Sequence, residues 1–185
     1  MNDETPLRSI SLFDDLSDAE LSAVPASCAI RTFEKQAQIL GEQEPTTDVF
    51  FILSGTVRST SYTSAGREVI FNEIQSGEIF GEFSAVDGLP RASSVVAMTD
   101  CRVARMTREK FLQMLKGNGK IATRLIELLV VKIRSMSERV FEVSALAVRE
   151  RVRRELLRLA KDGEEFRNGI VIRPAPTHYE IAARI

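Results

Sequence analysis

The 185 residues contain no tryptophan, one histidine at His178 and two cysteines, Cys28 and Cys101. Two distant thiols with no CxxC spacing supply no disulfide framework, zinc site or iron–sulfur ligand set, and both read as ordinary buried thiols. One histidine cannot assemble a histidine-rich metal centre for phosphodiester hydrolysis, and the phosphate-binding pattern GxxxxGK[ST] is missing as well. His178 itself reads as a surface residue beside a turn. Long apolar runs are also lacking: VFFIL at 49–53 stops at Ser54 and LLVV at 128–131 stops at Lys132, far short of a bilayer span. The N-terminal MNDETPLRSISLFDDL is acidic, without the basic region or continuous apolar core of a secretory signal, so a soluble cytoplasmic protein is the expectation. Charge of one sign is scarce too. With 25 basic and 26 acidic residues the net charge is -1, so any DNA-binding surface must be local or lie outside these residues.

What is present is an ordinary globular composition, 44% hydrophobic and 28% charged, long enough for one well-cored domain plus a smaller element. Between Asp15 and Val24, LSDAELSAV has helical spacing and an acidic start, which predicts a short leading helix. From about Ser27 to Met106 the segments CAIRTF, VFFILSG, TVRSTSYT, REVIFNEI, SVVAM and CRVARM are rich in β-branched and aromatic residues. They are punctuated by Gly41, Gly55, Gly66, Gly77 and Gly88. Short strands at such spacing predict an antiparallel barrel or sandwich, with SAG at 64–66 as a hairpin turn. After them TREKFLQMLKG combines Thr107 as N-cap and Glu109 in a capping pattern with an apolar face, stopped by Gly117 and Gly119.

From Lys120 to about Ala147 there is neither Gly nor Pro, and Ile126, Leu129, Ile133, Met136, Val140, Val143 and Ala147 recur at alternating spacings of three and four. That is a heptad seam, which predicts a partner helix and a homodimer; Leu125 and Leu128 on the flanking face are expected against the chain's own barrel. VRERVRRELLRLAKDG at 148–163 is a second amphipathic helix with five arginines, either a solvated face or a surface near DNA. GIVIRP at 169–174 suits a short strand, and THYEIAARI at 177–185 begins a helix with Thr177 as N-cap and Glu180 at the capping-box position.

The stretch GEFSAVDGLPRASSV at 81–95 sets one cation, Arg91, among small residues where a strand begins, and a buried cation there needs an anionic partner. Phosphate fits best. Gly81 permits close backbone approach, the segment after it can present N–H groups at a helix start, and Arg91 offers a charged fork. Glu82 would repel phosphate, but a carboxylate beside a phosphate site makes sense as acceptor for a sugar hydroxyl. Phosphate plus ribose hydroxyl means a nucleotide. The plain alternative, a surface pair of Arg91 and Asp87, stays open from the sequence alone.

GEIFGEFSAVDGLPRASSVVA resembles the phosphate-binding cassette of cyclic-nucleotide-binding domains. The whole succession of β-roll, long helix, second helix and the onset of a helix-turn-helix is similar to the cyclic-AMP receptor protein/FNR family of bacterial transcription regulators. The resemblance implies an α+β fold: an antiparallel, jelly-roll-like β-roll over 1–119, a dimerisation helix over 120–147, and the start of a winged helix-turn-helix over 148–185, incomplete here. It implies that Arg91 binds the cyclic phosphate and Glu82 the ribose 2'-hydroxyl, with Gly81, Phe83 and Ala92 adding backbone or wall contacts. The base would lie against the long helix at Met136 and Ser137. Ser137 suits that place, whereas the Met136 thioether donates no hydrogen bond and leaves apolar contact instead. Ala92 lacks the hydroxyl that relatives use to bond guanine, which favours cyclic AMP over cyclic GMP. Lys132, one turn before Met136, is placed to reach Glu82 or the phosphate.

On this reading the chain is not an enzyme and holds no metal. Its partners are a cyclic nucleotide, a second copy of itself and, in the complete protein, DNA, with RNA polymerase as a further candidate. The stretch that would enter the major groove lies beyond Ile185, so this chain alone is not expected to recognise an operator. A redox or gas sensor of the same fold is disfavoured by the cysteine count and the lone histidine. A nucleotide-free dimeric scaffold is disfavoured by the intact Glu82 and Arg91.

Overall fold

The computed structural model of the chain describes residues 7–24, 28–167 and 169–185, and its strands are as short as the glycine spacing predicts. Residues Met1 to Pro6, part of the acidic start, and Ser27, the expected beginning of the strands, lie outside the described residues. Residues up to 61 together with 71–129 make one unit; residues 62–70 together with 130–185 make a second.

Among the described residues the roll has eight strands, β1 (Ala29–Phe33), β2 (Gln38–Leu40), β3 (Val49–Ser54), β4 (Thr56–Tyr62), β5 (Glu68–Gln75), β6 (Ile79–Phe80), β7 (Ser94–Ala97) and β8 (Cys101–Met106). They form two antiparallel four-stranded sheets ordered β1-β8-β3-β6 and β2-β7-β4-β5. The six apolar segments of the sequence all become strands. The three-residue β2 and two-residue β6 are too short to carry a period, and the sequence pattern does not disclose them.

VFFIL reads as an unbroken apolar run because β3 is buried on both faces. Phe50 and Ile52 point into the roll with Val57, Phe80, Val95 and Val103, while Val49 and Phe51 point the other way, against the helices. Burying each such side chain contributes about 1.5–3 kcal/mol. The helical layer comprises a 3-10 turn at Ser11–Phe13, α1 (Asp18–Ala23), α2 (Glu82–Asp87), α3 (Arg108–Gly117) and the first turns of α4 (Gly119–Ala145). Phe13, Phe111, Ile121 and Leu125 belong to its apolar side, and Leu128 and Leu129 pack against it half-buried.

Two local expectations need correction. Thr107 stands before α3, but its hydroxyl makes no capping bond and is buried without a partner. Glu109 falls at the second helical position rather than the third, so the reciprocal box cannot close. Cys101 is buried as expected, whereas Cys28 is only half-buried. Asn118, inconspicuous in the sequence, accepts from the amides of Lys120 and Ile121 and starts α4 directly after α3.

In the second unit, α5 (Val148–Leu159) comes after the end of α4. A hairpin of β9 (Glu164–Phe166) and β10 (Gly169–Val171) is next, and α6 (His178–Arg184) begins with the expected Thr177–Glu180 capping box. Of the seam, Ile126, Ile133, Met136, Val140 and Val143 are 59–66% exposed along α4.

Candidate functional site

The cassette begins at Gly81, whose φ of 81° is open to glycine and strained for other residues. A methyl group there would lie 2.8 Å from both an Arg91 guanidinium nitrogen and the Asp48 carbonyl oxygen. Glu82 then opens the short α2, which ends at Gly88 in the same left-handed conformation. Asp87 accepts from the Leu89 amide at 2.9 Å and turns the chain toward Arg91.

Arg91 is 2% exposed. Its main chain is stitched to a loop on the other side of the site, with its amide donating to Glu44 O and its carbonyl accepting from the Gln43 amide. Its guanidinium donates from Nε to Thr46 Oγ1, from Nη1 to Gly81 O and from Nη2 to Asp48 O, each at 2.9 Å. The pair with Asp87, left open above, is not formed. Arg105 holds Asp48 in place through its carboxylate at 2.6 Å. Burial lowers the affinity of Arg91 for its proton, and the charges of Asp48, Glu44 and Glu82 oppose that shift.

The guanidinium is thus desolvated and hydrogen-bonded through all three nitrogens, but to neutral acceptors. An anion entering beside it would add ion pairing to bonds that only the donor now charges, and a guanidinium can meet phosphate oxygens through two parallel N–H donors. Glu82 is also buried, at 3% exposure, and its charge acts on Arg91, while Phe83 and Ala92 are exposed. Ser59 and Ser93 add a hydroxyl pair 2.8 Å apart where β4 meets the chain beyond Arg91. Asp48 and Glu44 are not conspicuous in the sequence, because a loop that recognises its partner through main-chain atoms leaves no residue pattern, and the single hydroxyl of Thr46 adds none.

The structure brings together Gly81, Glu82 and Arg91, and Phe83 and Ala92 are the exposed chain neighbours of Glu82 and Arg91. Lys132, Met136 and Ser137 lie on α4 in the second unit: Lys132 is half-buried, Met136 is exposed, and Ser137 donates its hydroxyl to Ile133 O one turn back. A shallow depression of about 420 Å³, lined by residues including Thr32, Glu34, Asp100 and Cys101, contains no cassette residue. Among the described residues no three His, Cys, Asp or Glu side chains gather as a metal site, and no helix is long and apolar enough to cross a membrane.

A sequence model of the cyclic nucleotide-binding domain matches residues 30–118, which include the whole cassette. The chain is 26% identical over 138 residues to the cAMP-activated global transcriptional regulator CRP of Haemophilus influenzae, covering 74% of this chain and 62% of that protein. To the corresponding regulator of Salmonella typhimurium it is 27% identical over 146 residues, 78% of this chain and 70% of the relative. The crystal structure of the Thermus thermophilus catabolite activator protein superposes with a TM-score of 0.67 at 26% identity, covering 83% of this chain and 72% of that one. Residues 30–118 thus match the cyclic nucleotide-binding domain, and most of the chain is similar to regulators of the cyclic-AMP receptor protein/FNR type. The fold is shared with the c-di-GMP responsive regulator CLP of Xanthomonas campestris, with a TM-score of 0.73 at 18% identity, covering 82% of this chain and 76% of that one. This chain spans about two thirds of the length of the two cAMP-activated regulators.

Proposed function

We propose that this chain is the effector-binding and dimerising part of a transcription regulator that responds to a cyclic nucleotide, cyclic AMP in preference to cyclic GMP. The observation that carries this reading is Arg91, a fully buried cation satisfied by neutral acceptors beside Gly81 and Glu82. The cyclic phosphate would take the Arg91 fork and the ribose 2'-hydroxyl the Glu82 carboxylate. Gly81, Phe83 and Ala92 would form the wall, and Lys132, Met136 and Ser137 would close over the ligand from the long helix. Ala92 offers guanine no hydroxyl, and the two relatives from Haemophilus influenzae and Salmonella typhimurium are described as cAMP-activated.

In this reading residues 1–119 sense the nucleotide, 120–147 dimerise through the exposed seam, and 148–185 begin the winged helix-turn-helix that the complete protein applies to DNA, with RNA polymerase as a further partner, in the cytoplasm. Binding acts by population shift: the nucleotide closes the 81–95 cassette on the long helix and biases the two DNA-binding modules toward one spacing. No step is catalytic.

Calorimetric titration of the chain with cyclic AMP and, separately, cyclic GMP tests the reading. Tight binding of cyclic AMP that Arg91→Ala abolishes is expected; absence of binding by either nucleotide would leave a dimeric scaffold with another effector. For the seam, Val140→Asp buries a carboxylate without a partner in the expected dimer and should shift the chain toward monomer in sedimentation. An unchanged sedimentation coefficient would remove the seam assignment.

A further inference from the structure

Three arginines from three separate stretches of the second unit converge on the last turn of α6. Arg67, in the turn between β4 and β5, donates to Ala182 O at 2.9 Å; Arg139 of α4 donates to Arg184 O; and Arg151 of α5 donates to Ile185 O at 2.7 Å. These three donors tie α6 to the β4–β5 turn, to α4 and to α5.

Beneath this grip lies a buried acid that the proposed function does not use. Glu155 of α5 is 1% exposed. One of its carboxylate oxygens accepts from Arg158 at 2.5 Å and lies 3.3 Å from Arg139; the other lies 3.7 Å from Arg184. Glu142 of α4 accepts from Arg158 through both oxygens at 2.9 and 3.1 Å and sits 3.5 Å from Arg154. Arg139 thus touches the buried acid with one nitrogen and the end of α6 with another, and Arg158 bridges α5 to α4.

We propose that Glu155 is a positioning residue: by orienting Arg139 and Arg184 it locks α6 to α4 and α5, and Arg67 extends the lock to the β4–β5 turn, so that these elements move as one piece. The lock is a property of the chain whether or not a nucleotide binds. Its use, which is to pass a displacement of the long helix to the first helix of a DNA-binding module, rests on the function proposed above.

Hydrogen exchange by mass spectrometry on the full chain, comparing wild type with Glu155→Gln and Arg67→Ala, tests the lock. Glutamine keeps the volume of glutamate and removes its charge. The expected result is exchange faster by about 10- to 100-fold in α6 and in the end of α4 around Arg139, as for a weakened buried ion pair, with the amides of β3 and β8 unchanged. Arg67→Ala should quicken α6 alone, and by less. Three results would overturn the proposal: α6 unprotected in the wild type, α6 unaffected in the variants, or protection lost evenly through β3 and β8, which would make Glu155 a general stability residue. If Glu155→Gln does not fold, the wild-type and Arg67→Ala profiles still decide. Cyclic AMP added to the same wild-type sample separates the two readings, because failure to bind it would remove the proposed function and leave the exchange pattern to judge the lock.

Discussion

Arg91 in the β-roll and Glu155 in α5 are charged side chains buried to almost the same degree, at 2% and 1% exposure, and their surroundings differ in kind. Arg91 hydrogen-bonds to a hydroxyl and two main-chain carbonyls. Glu155 is enclosed by the guanidinium groups of Arg139, Arg158 and Arg184. A buried charge already met by opposite charge is committed to holding structure. One whose hydrogen bonds go to neutral dipoles, with the charges of Asp48, Glu44 and Glu82 near but not hydrogen-bonded to it, can still take an anion as its direct partner, and desolvation strengthens that attraction.

The contrast can be broken by exchanging stability for binding as the readout. Glu155→Ala removes the acid from among three arginines and should cost about 3–5 kcal/mol of stability in thermal or urea denaturation, because the remaining cations lose their counter-charge. Arg91→Ala should instead register in calorimetry, weakening nucleotide binding by about 2–5 kcal/mol. A loss of only a few tenths there would move the anion site elsewhere. Gly81→Ala tests the contact between cassette and guanidinium. It places a methyl group 2.8 Å from Arg91 at a left-handed φ, and a loss of about 1–3 kcal/mol of stability together with weaker binding is expected.

A half-buried acid at the surface completes the series. Hydrogen bonds from Ser17, main chain first, and then from Lys120 hold the Glu20 carboxyl at about 2, below its ordinary 4.5. A folded-state value below the unfolded one adds stability that is complete above pH 4.5 and disappears as the pH falls toward 2. Glu20→Gln should therefore flatten the dependence of melting temperature on pH within that window and leave it unchanged above. The effect should be the smallest of the four, since solvent screens the pair.

These residues also differ in how legible they are in the sequence. Gly81, Glu82 and Arg91 stand in an unusual local string, and the site they form is local in sequence, so one stretch discloses it. The long helix and the Thr177–Glu180 box are equally readable, because period and capping are short-range properties. Thr46 and Asp48 are invisible: they serve Arg91 through one hydroxyl and one carbonyl from 45 and 43 residues away. Glu155 is concealed differently. On a helix carrying five arginines it looks like one more solvated charge, and only the approach of α4 and α6 turns that face inward. Thr107 shows the converse failure, a residue of the right type whose partner is one position out of register.

One strand, β3, separates the roll from the helical layer and belongs to both. Phe50 and Phe51 are consecutive in the chain and face opposite interiors. The two interiors therefore share a party wall, and neither can melt while the other stays intact. The first unit should lose its structure in a single calorimetric transition, with the helices reporting on the state of the barrel from the far side of one sheet.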